Sequence, residues 1–81
     1  MRFRETFKNV QLMYAVGIDE ETGENVIVVT VPSIGWSDFY FRLTNEEASS
    51  WKHDSHALDD LAERLAIDKG NRMYADRLIR G

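Results

Sequence analysis

The sequence predicts an α+β fold, in which a three-stranded antiparallel meander carries two or three helices on one face. Three observations lead to this prediction. Apolar residues alternate or cluster along the first half of the chain, turn formers separate those stretches, and a helix-capping pattern opens the second half. Of the 81 residues, 43% are hydrophobic and 30% are charged, which is the composition of a folded protein. We therefore expect one domain that covers residues 1–81.

The three predicted strands occupy residues 10–16, 26–31 and 36–43. The first alternates between apolar and other side chains, as a strand with one covered face does. The second is almost continuously apolar and β-branched, which indicates a central strand that is buried on both faces. The third alternates again and places Phe39 and Phe41 on one side.

Turn formers lie between these strands. Residues 17–25 combine charged side chains with glycine, and Gly23 can supply the positive φ angle of a hairpin loop. Pro32 has no backbone N–H to donate, so we expect it to end the second strand. Each strand should therefore pair with the one that follows it.

Helix signals follow the third strand. Thr44 and Glu47 have the spacing of a capping box, which predicts a helix of about two turns through Trp51. Trp51 would lie on the inward side of this helix and belong to the core.

A second helix is predicted to start from a cap at Asp54 or Ser55 and to stop at Lys69 and Gly70. Its apolar stripe consists of Ala57, Leu58, Leu61, Ala62 and Leu65. In residues 71–81, apolar side chains recur at helical spacing, which favours a third helix, although a short edge strand starting at Met73 fits as well.

The charge of the chain is unevenly distributed. The net charge is −4, and in residues 17–47 only Arg42 opposes the aspartates and glutamates. Such a field repels nucleic acid phosphates and favours a cationic protein surface. The arginines of the C-terminal segment are too few for an RNA site and lie outside any RNA-binding motif. We therefore predict no nucleic acid partner.

The composition also bears on location. The chain has no cysteine, which excludes thiol catalysis, disulfides and cysteine-based zinc sites and is typical of a reducing compartment. No stretch approaches the ~18 apolar residues of a membrane span, and no apolar region of a signal peptide follows the basic N-terminus. We expect a cytoplasmic protein that does not insert into membranes.

The strongest candidates for chemistry are His53 and His56, with Asp59 beside them. Two histidines at this spacing can share a divalent metal with a carboxylate. However, these residue types are ordinary at exposed helix starts, and the spacing differs from that of the zinc-protease motif. The chain also has no nucleophile motif and no phosphate-binding glycine loop. We predict no metal, no cofactor and no enzymatic activity.

The predicted contact surface combines an acidic hairpin with aromatic side chains. Trp36 lies in a loop and is the best candidate for an exposed aromatic residue, while Tyr40 shares a strand face with Asp38 and Arg42. A solvated hairpin tip and a solvated sheet face are the structural alternatives. The predicted partner-binding residues are Asp19, Glu20, Glu21, Glu24, Trp36, Asp38, Tyr40 and Arg42.

Part of the chain resembles small bacterial immunity proteins that neutralise polymorphic or contact-dependent toxins. Residues 39–48 (FYFRLTNEEA) run from an aromatic strand into the helix start, and Trp51 and residues 58–62 (LDDLA) follow. The resemblance covers residues 36–66. It implies a cytoplasmic inhibitor that binds a cationic toxin domain, often a nuclease, and that has no cofactor or catalysis of its own.

A second hypothesis is a small dimeric phage or bacterial regulatory module. Residues 31–33 (VPS), ahead of residues 44–48 (TNEEA), are similar to HicB-type antitoxins, although an apolar strand replaces the glycine-rich turn of that family. Such a module would dimerise through an exposed strand edge or the C-terminal helix. The immunity hypothesis predicts a monomer with a polar, acidic interface, whereas the second predicts a homodimer with an apolar, self-complementary patch.

Overall fold

The computed structural model describes residues 1–80, apart from the side chain of Ser33. Four antiparallel strands form one sheet in the order β1-β2-β3-β4, and they are β1 Phe3–Asn9, β2 Tyr14–Asp19, β3 Asn25–Ser33 and β4 Gly35–Arg42. Two helices follow, α1 Asn45–His53 and α2 Asp59–Asp68, and then a short 3₁₀ helix at Ala75–Arg77. The α+β class and the antiparallel meander are thus confirmed. No helix within residues 1–80 has the length and apolar character needed to cross a membrane.

The sheet has four strands where the sequence predicts three. The additional strand, β1, carries mostly charged and polar side chains, and only Phe3, Phe7 and Asn9 are partly buried. An edge strand of this kind has no clear apolar alternation to detect. The predicted first strand at residues 10–16 begins only at Tyr14, because residues 10–13 form the β1–β2 turn, in which Met13 has a φ of 59°.

The prediction that Pro32 ends the second strand was wrong. β3 continues through Pro32, which pairs with Trp36 of β4. Even-numbered residues of β3 direct their backbone towards β2, and the N–H of Thr30 donates to the carbonyl of Met13 over 2.9 Å at the end of β2. The backbone nitrogen of Pro32 therefore points past the end of β2, where β2 offers no carbonyl to accept a hydrogen bond, so the absence of an N–H costs no bond of the sheet.

The helices cover one face of the sheet and form the core with it. The capping box is confirmed: the N–H of Glu47 donates to Thr44 Oγ1 over 3.1 Å, and the N–H of Thr44 donates to Glu47 Oε1 over 2.9 Å. Phe41 and Leu65 are fully buried, and the partly buried Trp51 packs against the edge of the core, where its ring meets Phe7. The buried members of this core are Tyr14, Val16, Ile27, Val29, Phe41, Leu58, Leu61, Ala62 and Leu65.

The second helix begins later than predicted. Asp54 accepts a hydrogen bond from the N–H of His56 over 3.0 Å, and its carbonyl accepts one from the N–H of Ala57. Asp54 therefore closes a turn, and α2 starts at Asp59 without a side-chain cap. The helix stops where predicted, with Lys69 and Gly70 both at positive φ.

In place of the predicted third helix, residues 71–80 contain only the short 3₁₀ helix at Ala75–Arg77, and Gly81 lies outside the described residues. Instead, the carboxylate of Asp68 accepts the backbone N–H groups of residues 72–74, which turns the chain back towards the sheet. Leu78 then forms an isolated antiparallel bridge with Phe41. Arg77 holds this return in place, because its guanidinium donates to the Glu47 carboxylate and, from Nε over 3.1 Å, to the carbonyl of Arg42.

Tyr14 joins the sheet to α2. Its hydroxyl donates to Asp59 Oδ1, and burial, together with this carboxylate, raises the pKa of Tyr14 to about 12. The pKa of Tyr14 in the folded state exceeds the unfolded value of 10.0, so the neutral phenol stabilises the folded state. This contribution is fully present below pH 10 and is lost as the pH rises through about 12. We expect Tyr14→Phe to remove a phenolate absorbance change near pH 12 and to weaken the dependence of stability on pH above pH 10.

Tyr74→Phe is the matched control for this titration, since Tyr74 lies outside the Tyr14–Asp59 contact. The control should retain the absorbance change near pH 12. If Tyr14→Phe had the same titration curve as the wild type near pH 12, this hydrogen bond would not be holding the phenol neutral.

Candidate protein-contact surface

The sheet face opposite the helices, the open face, is closed at one end by two aromatic rings. Phe3 of β1 and Tyr40 of β4 meet edge to face with their ring centroids 5.4 Å apart. They do so above Gly17, where the absence of a side chain leaves room for the Phe3 ring. Beneath this end, Val26 is fully buried although no helix lies on this side.

A groove of about 340 Å³ continues along the open face from this pair of rings. Ala15 and Val28 form its apolar floor, and Lys8 and Asp38 stand on opposite sides. Thr30 Oγ1 donates to Asp38 Oδ1 over 2.7 Å, which orients that carboxylate. Burial, followed by the charge of Asp38, raises the pKa of Tyr40. The groove therefore offers an apolar floor between charges of both signs.

Exposed apolar residues lie at the end of the sheet away from the two rings, and two of them, Val10 and Met13, also line the groove. Because successive strands run in opposite directions, the β1–β2 turn and the β3–β4 turn come to the same end of the sheet. Trp36 is 66% exposed and Val10 is 75% exposed. We call this cluster the apolar rim, and it consists of Val10, Leu12, Met13, Ile34 and Trp36. Single exposed apolar residues are common, but a cluster of this kind is typical of a contact surface.

The acidic hairpin lies at the opposite end of the sheet from the apolar rim. β3 has nine residues, so the two ends are separated by about 30 Å at the usual rise of a strand. The predicted site residues therefore do not form one site. Asp38 and Tyr40 line the groove and Trp36 precedes them on β4, whereas Glu20, Glu21 and Glu24 belong to the far end.

Much of the acidic hairpin is occupied by contacts within the chain. Asp19 is buried, and its carboxylate accepts the N–H of Glu21 over 3.0 Å, the N–H of Arg2 and the hydroxyl of Thr22. The bond from Glu21 contributes most to lowering the pKa of Asp19. Asp19 thus shapes the hairpin and is not an exposed contact residue.

The exposed acids of the hairpin are partly neutralised by the N-terminal segment. Glu20 forms an ion pair with Arg4 over 3.2 Å, and Glu21 forms one with the N-terminal ammonium over 2.9 Å. Arg42, the last predicted site residue on β4, donates to the carbonyl of Asp76 over 2.7 Å. The negative charge that the sequence predicts for this end is therefore reduced.

Several residues of this surface are not predicted by the sequence. The sequence predicts Val10 and Leu12 within the first strand and leaves Phe3 and Lys8 outside any strand. The predicted exposure of Trp36 is confirmed, although Trp36 lies in β4 and not in a loop. The exposure of Ile34 could have been predicted, because an isoleucine next to Gly35 in a tight turn belongs to no strand face that another element covers.

The histidines line neither the groove nor its rim. Both are exposed, and His56 Nδ1 lies 3.1 Å from Asp59 Oδ2. Within residues 1–80, no group of three or more His, Cys, Asp and Glu side chains is arranged to hold a metal ion. No family model, curated protein or solved structure matches the chain. Its function is therefore inferred from geometry and chemistry.

Proposed function

We propose that this protein binds another protein through the open face and the apolar rim, without catalysis, and thereby inhibits it. The observation that supports this proposal is the exposure of Trp36, which lies on β4 two residues from Asp38 of the groove and at the same end of the sheet as the other rim residues. Tryptophan anchors with apolar neighbours contribute disproportionately to binding between proteins. Lys8 and Asp38 would then pair with charges at the border of the contact.

The partner that we propose is a cationic toxin domain. The net charge of −4 accelerates the approach of a cationic protein, and the resemblance of residues 36–66 to immunity proteins indicates the class of target. In such a complex, the acidic hairpin contributes to steering, because it lies far from the rim and is partly neutralised. We place this inhibitor in the bacterial cytoplasm.

The test is affinity capture from a lysate of the source organism, followed by binding measurements with the purified partner. Trp36→Ala is expected to weaken binding about thirty-fold or more, the cost of losing an anchoring aromatic residue. Val10→Glu should also weaken binding, since it places a charge in the apolar rim. Ile67→Glu is the matched control, because Ile67 is 75% exposed, as is Val10, but does not line the groove.

Toxin activity decides whether binding is inhibitory. The wild type and Ile67→Glu should suppress the activity of the captured protein, for example nucleic acid cleavage, and Trp36→Ala should not. A partner that binds the Trp36 and Val10 variants as tightly as the wild type would rule out this surface. A partner that binds through the rim and keeps its full activity would rule out the inhibitor.

The acidic hairpin is expected to act mainly on the rate of association. The variant Glu20→Lys, Glu21→Lys, Glu24→Lys should bind the same partner more slowly and dissociate at nearly the wild-type rate, because distant charges steer without forming the contact. Kinetic measurements at low and high salt would check this, since added salt should remove most of the difference. A large increase in the dissociation rate would place the hairpin within the contact.

A further inference from the structure

The groove on the open face is lined by three charged side chains, and two of them are carboxylates. Glu5 and Lys8 lie on β1, Asp38 lies on β4, and all three are exposed. Within residues 1–80, none of the three forms an ion pair with another side chain. The lining therefore carries two negative charges and one positive charge, which favours a cationic group as its occupant.

Lys8 lies across the sheet from the two residues that form the β4 side of the groove. Tyr40 lies opposite Val28 in the register of β3 and β4. Val28 lies opposite Ala15, and Ala15 lies opposite Lys8, so this row spans the sheet from one edge to the other. Asp38 is two residues from Tyr40 and therefore shares its face of β4. The β4 side of the groove is consequently anionic and aromatic.

The carboxylate of Asp38 is oriented and still has room for further donors. Thr30, the residue opposite Asp38, donates from Oγ1 to Oδ1 over 2.7 Å. Within residues 1–80, this is the only hydrogen bond that the carboxylate accepts. A carboxylate offers about four acceptor positions, so both oxygens of Asp38 can accept another bond. Such a carboxylate suits a planar group that donates two parallel N–H bonds.

The ring of Tyr40 offers a second contact to a planar cation. Phe3 holds this ring in place by the edge-to-face contact, with the centroids 5.4 Å apart. After burial, the charge of Asp38 raises the pKa of Tyr40, so the carboxylate lies close enough to act on the phenol. Guanidinium groups stack on aromatic rings and are more weakly hydrated than ammonium groups. A guanidinium bound to Asp38 is therefore within reach of the Tyr40 ring.

We propose that the groove receives one arginine side chain of the bound protein, with the guanidinium between Asp38 and Tyr40 and the aliphatic stem over Ala15 and Val28. This inference rests on the proposed function, because it names the group with which a cationic partner enters the groove. The two floor residues are buried and apolar, and long cationic side chains commonly lay their stems along such surfaces. The volume of about 340 Å³ is at the lower end of the range for small-ligand sites, which suits one side chain.

Other side chains match this lining less well. A lysine ammonium is a strongly hydrated point charge that neither forks onto a carboxylate nor stacks flat on a ring. A glutamate could pair with Lys8, but it would face the like charges of Glu5 and Asp38. A neutral side chain would cover the Asp38 carboxylate without neutralising it, and burying an unpaired charge costs free energy.

The test is an NMR titration of the purified full chain with capped tripeptides. Gly-Arg-Gly is the probe, and its citrulline analogue keeps the shape of the side chain but has no charge. Gly-Lys-Gly and Gly-Glu-Gly represent the other charged occupants. We expect Gly-Arg-Gly to bind with a Kd on the order of 1–10 mM and to shift the signals of Val28, Asp38 and Tyr40. The other three peptides should bind at least about three-fold more weakly.

Asp38→Asn tests the carboxylate, because asparagine has nearly the same shape and can still accept the hydrogen bond from Thr30. Glu63→Gln is the matched control, since it loses the same charge at an exposed position of α2, on the other side of the sheet. Gly-Arg-Gly should bind Asp38→Asn at least about three-fold more weakly than the wild type and should bind Glu63→Gln with the wild-type affinity. Unchanged signals away from the substituted residue establish that both variants fold.

Three results would overturn the inference. They are a Gly-Arg-Gly titration that shifts no groove signal, equal binding of any of the other three peptides, and a folded Asp38→Asn that binds like Glu63→Gln. None of them contradicts the inhibitor proposal, which is tested through the apolar rim and holds whether or not the groove takes an arginine. Conversely, a partner that does not bind through the rim leaves the peptide titration unchanged.

Discussion

Phe41→Ala is expected to lower the free energy of unfolding by about 3–5 kcal/mol, the usual cost of removing a buried phenylalanine ring. Phe41 is fully buried in β4, where it pairs with Ile27 on one side and with Leu78 on the other. Its ring packs with α2 residues such as Leu65 in the main core. The free energy of unfolding of a domain of this size is only about 5–15 kcal/mol, so the variant should be largely unfolded under mild conditions.

Urea denaturation followed by circular dichroism measures this effect, with Phe41→Leu as the control. Leucine keeps most of the apolar volume, so the control should lose less than about 1.5 kcal/mol. If Phe41→Ala were no less stable than Phe41→Leu, the ring would not be the centre of the core that the structure shows.

Gly17→Ala is expected to lower the free energy of unfolding by about 3 kcal/mol or more, because the added methyl group would overlap with backbone as well as with a side chain. A Cβ atom at Gly17 would lie 2.2 Å from the carbonyl oxygen of Arg4 and 2.8 Å from Cε1 of Phe3. The carbonyl belongs to the neighbouring strand, so β1 itself must shift. We expect Phe3 to leave its position against Tyr40, which should change the chemical shifts of the Tyr40 ring.

Gly23→Ala is the matched control for this substitution. Gly23 has a φ of +80° and no atom within 4 Å of an added Cβ, so alanine there carries only the conformational penalty of about 1 kcal/mol. The difference in the free energy of unfolding between Gly17→Ala and Gly23→Ala measures the effect of the close contact between β1 and β2. Equal stabilities, or an unchanged Tyr40 ring, would contradict the close approach of the strands at Gly17.

The parts of the fold that were predicted correctly depend on neighbouring residues. Thr44 and Glu47 cap α1 through bonds between residues three apart, and Lys69 and Gly70 end α2 by their own backbone angles. The inward position of Phe41 follows from strand alternation, which is again a local property. Such signals can be read from the sequence because all the atoms involved lie within one turn or one strand.

The parts that were missed depend on residues far apart in the sequence. β1 has a weak pattern of its own and is a strand because it pairs with β2. The C-terminal segment is not a helix because Arg77 and Leu78 find partners in α1 and β4, about thirty or more positions earlier. No local preference predicts such contacts, since the free energy that stabilises them comes from pairing and burial.

For the candidate site, the exposure of Trp36 and the shared face of Asp38, Tyr40 and Arg42 followed from the sequence. Tertiary structure decided the rest, by bringing the β1–β2 turn to the same end of the sheet as Trp36 and by setting the acidic hairpin about 30 Å away at the usual rise of a strand. By itself, then, the sequence determined the α+β class, the cap that starts α1, the end of α2 and the buried faces of β3 and β4. Which strands form the edges and which side chains meet was decided by the order and direction of four strands, because these set distances that no local pattern encodes.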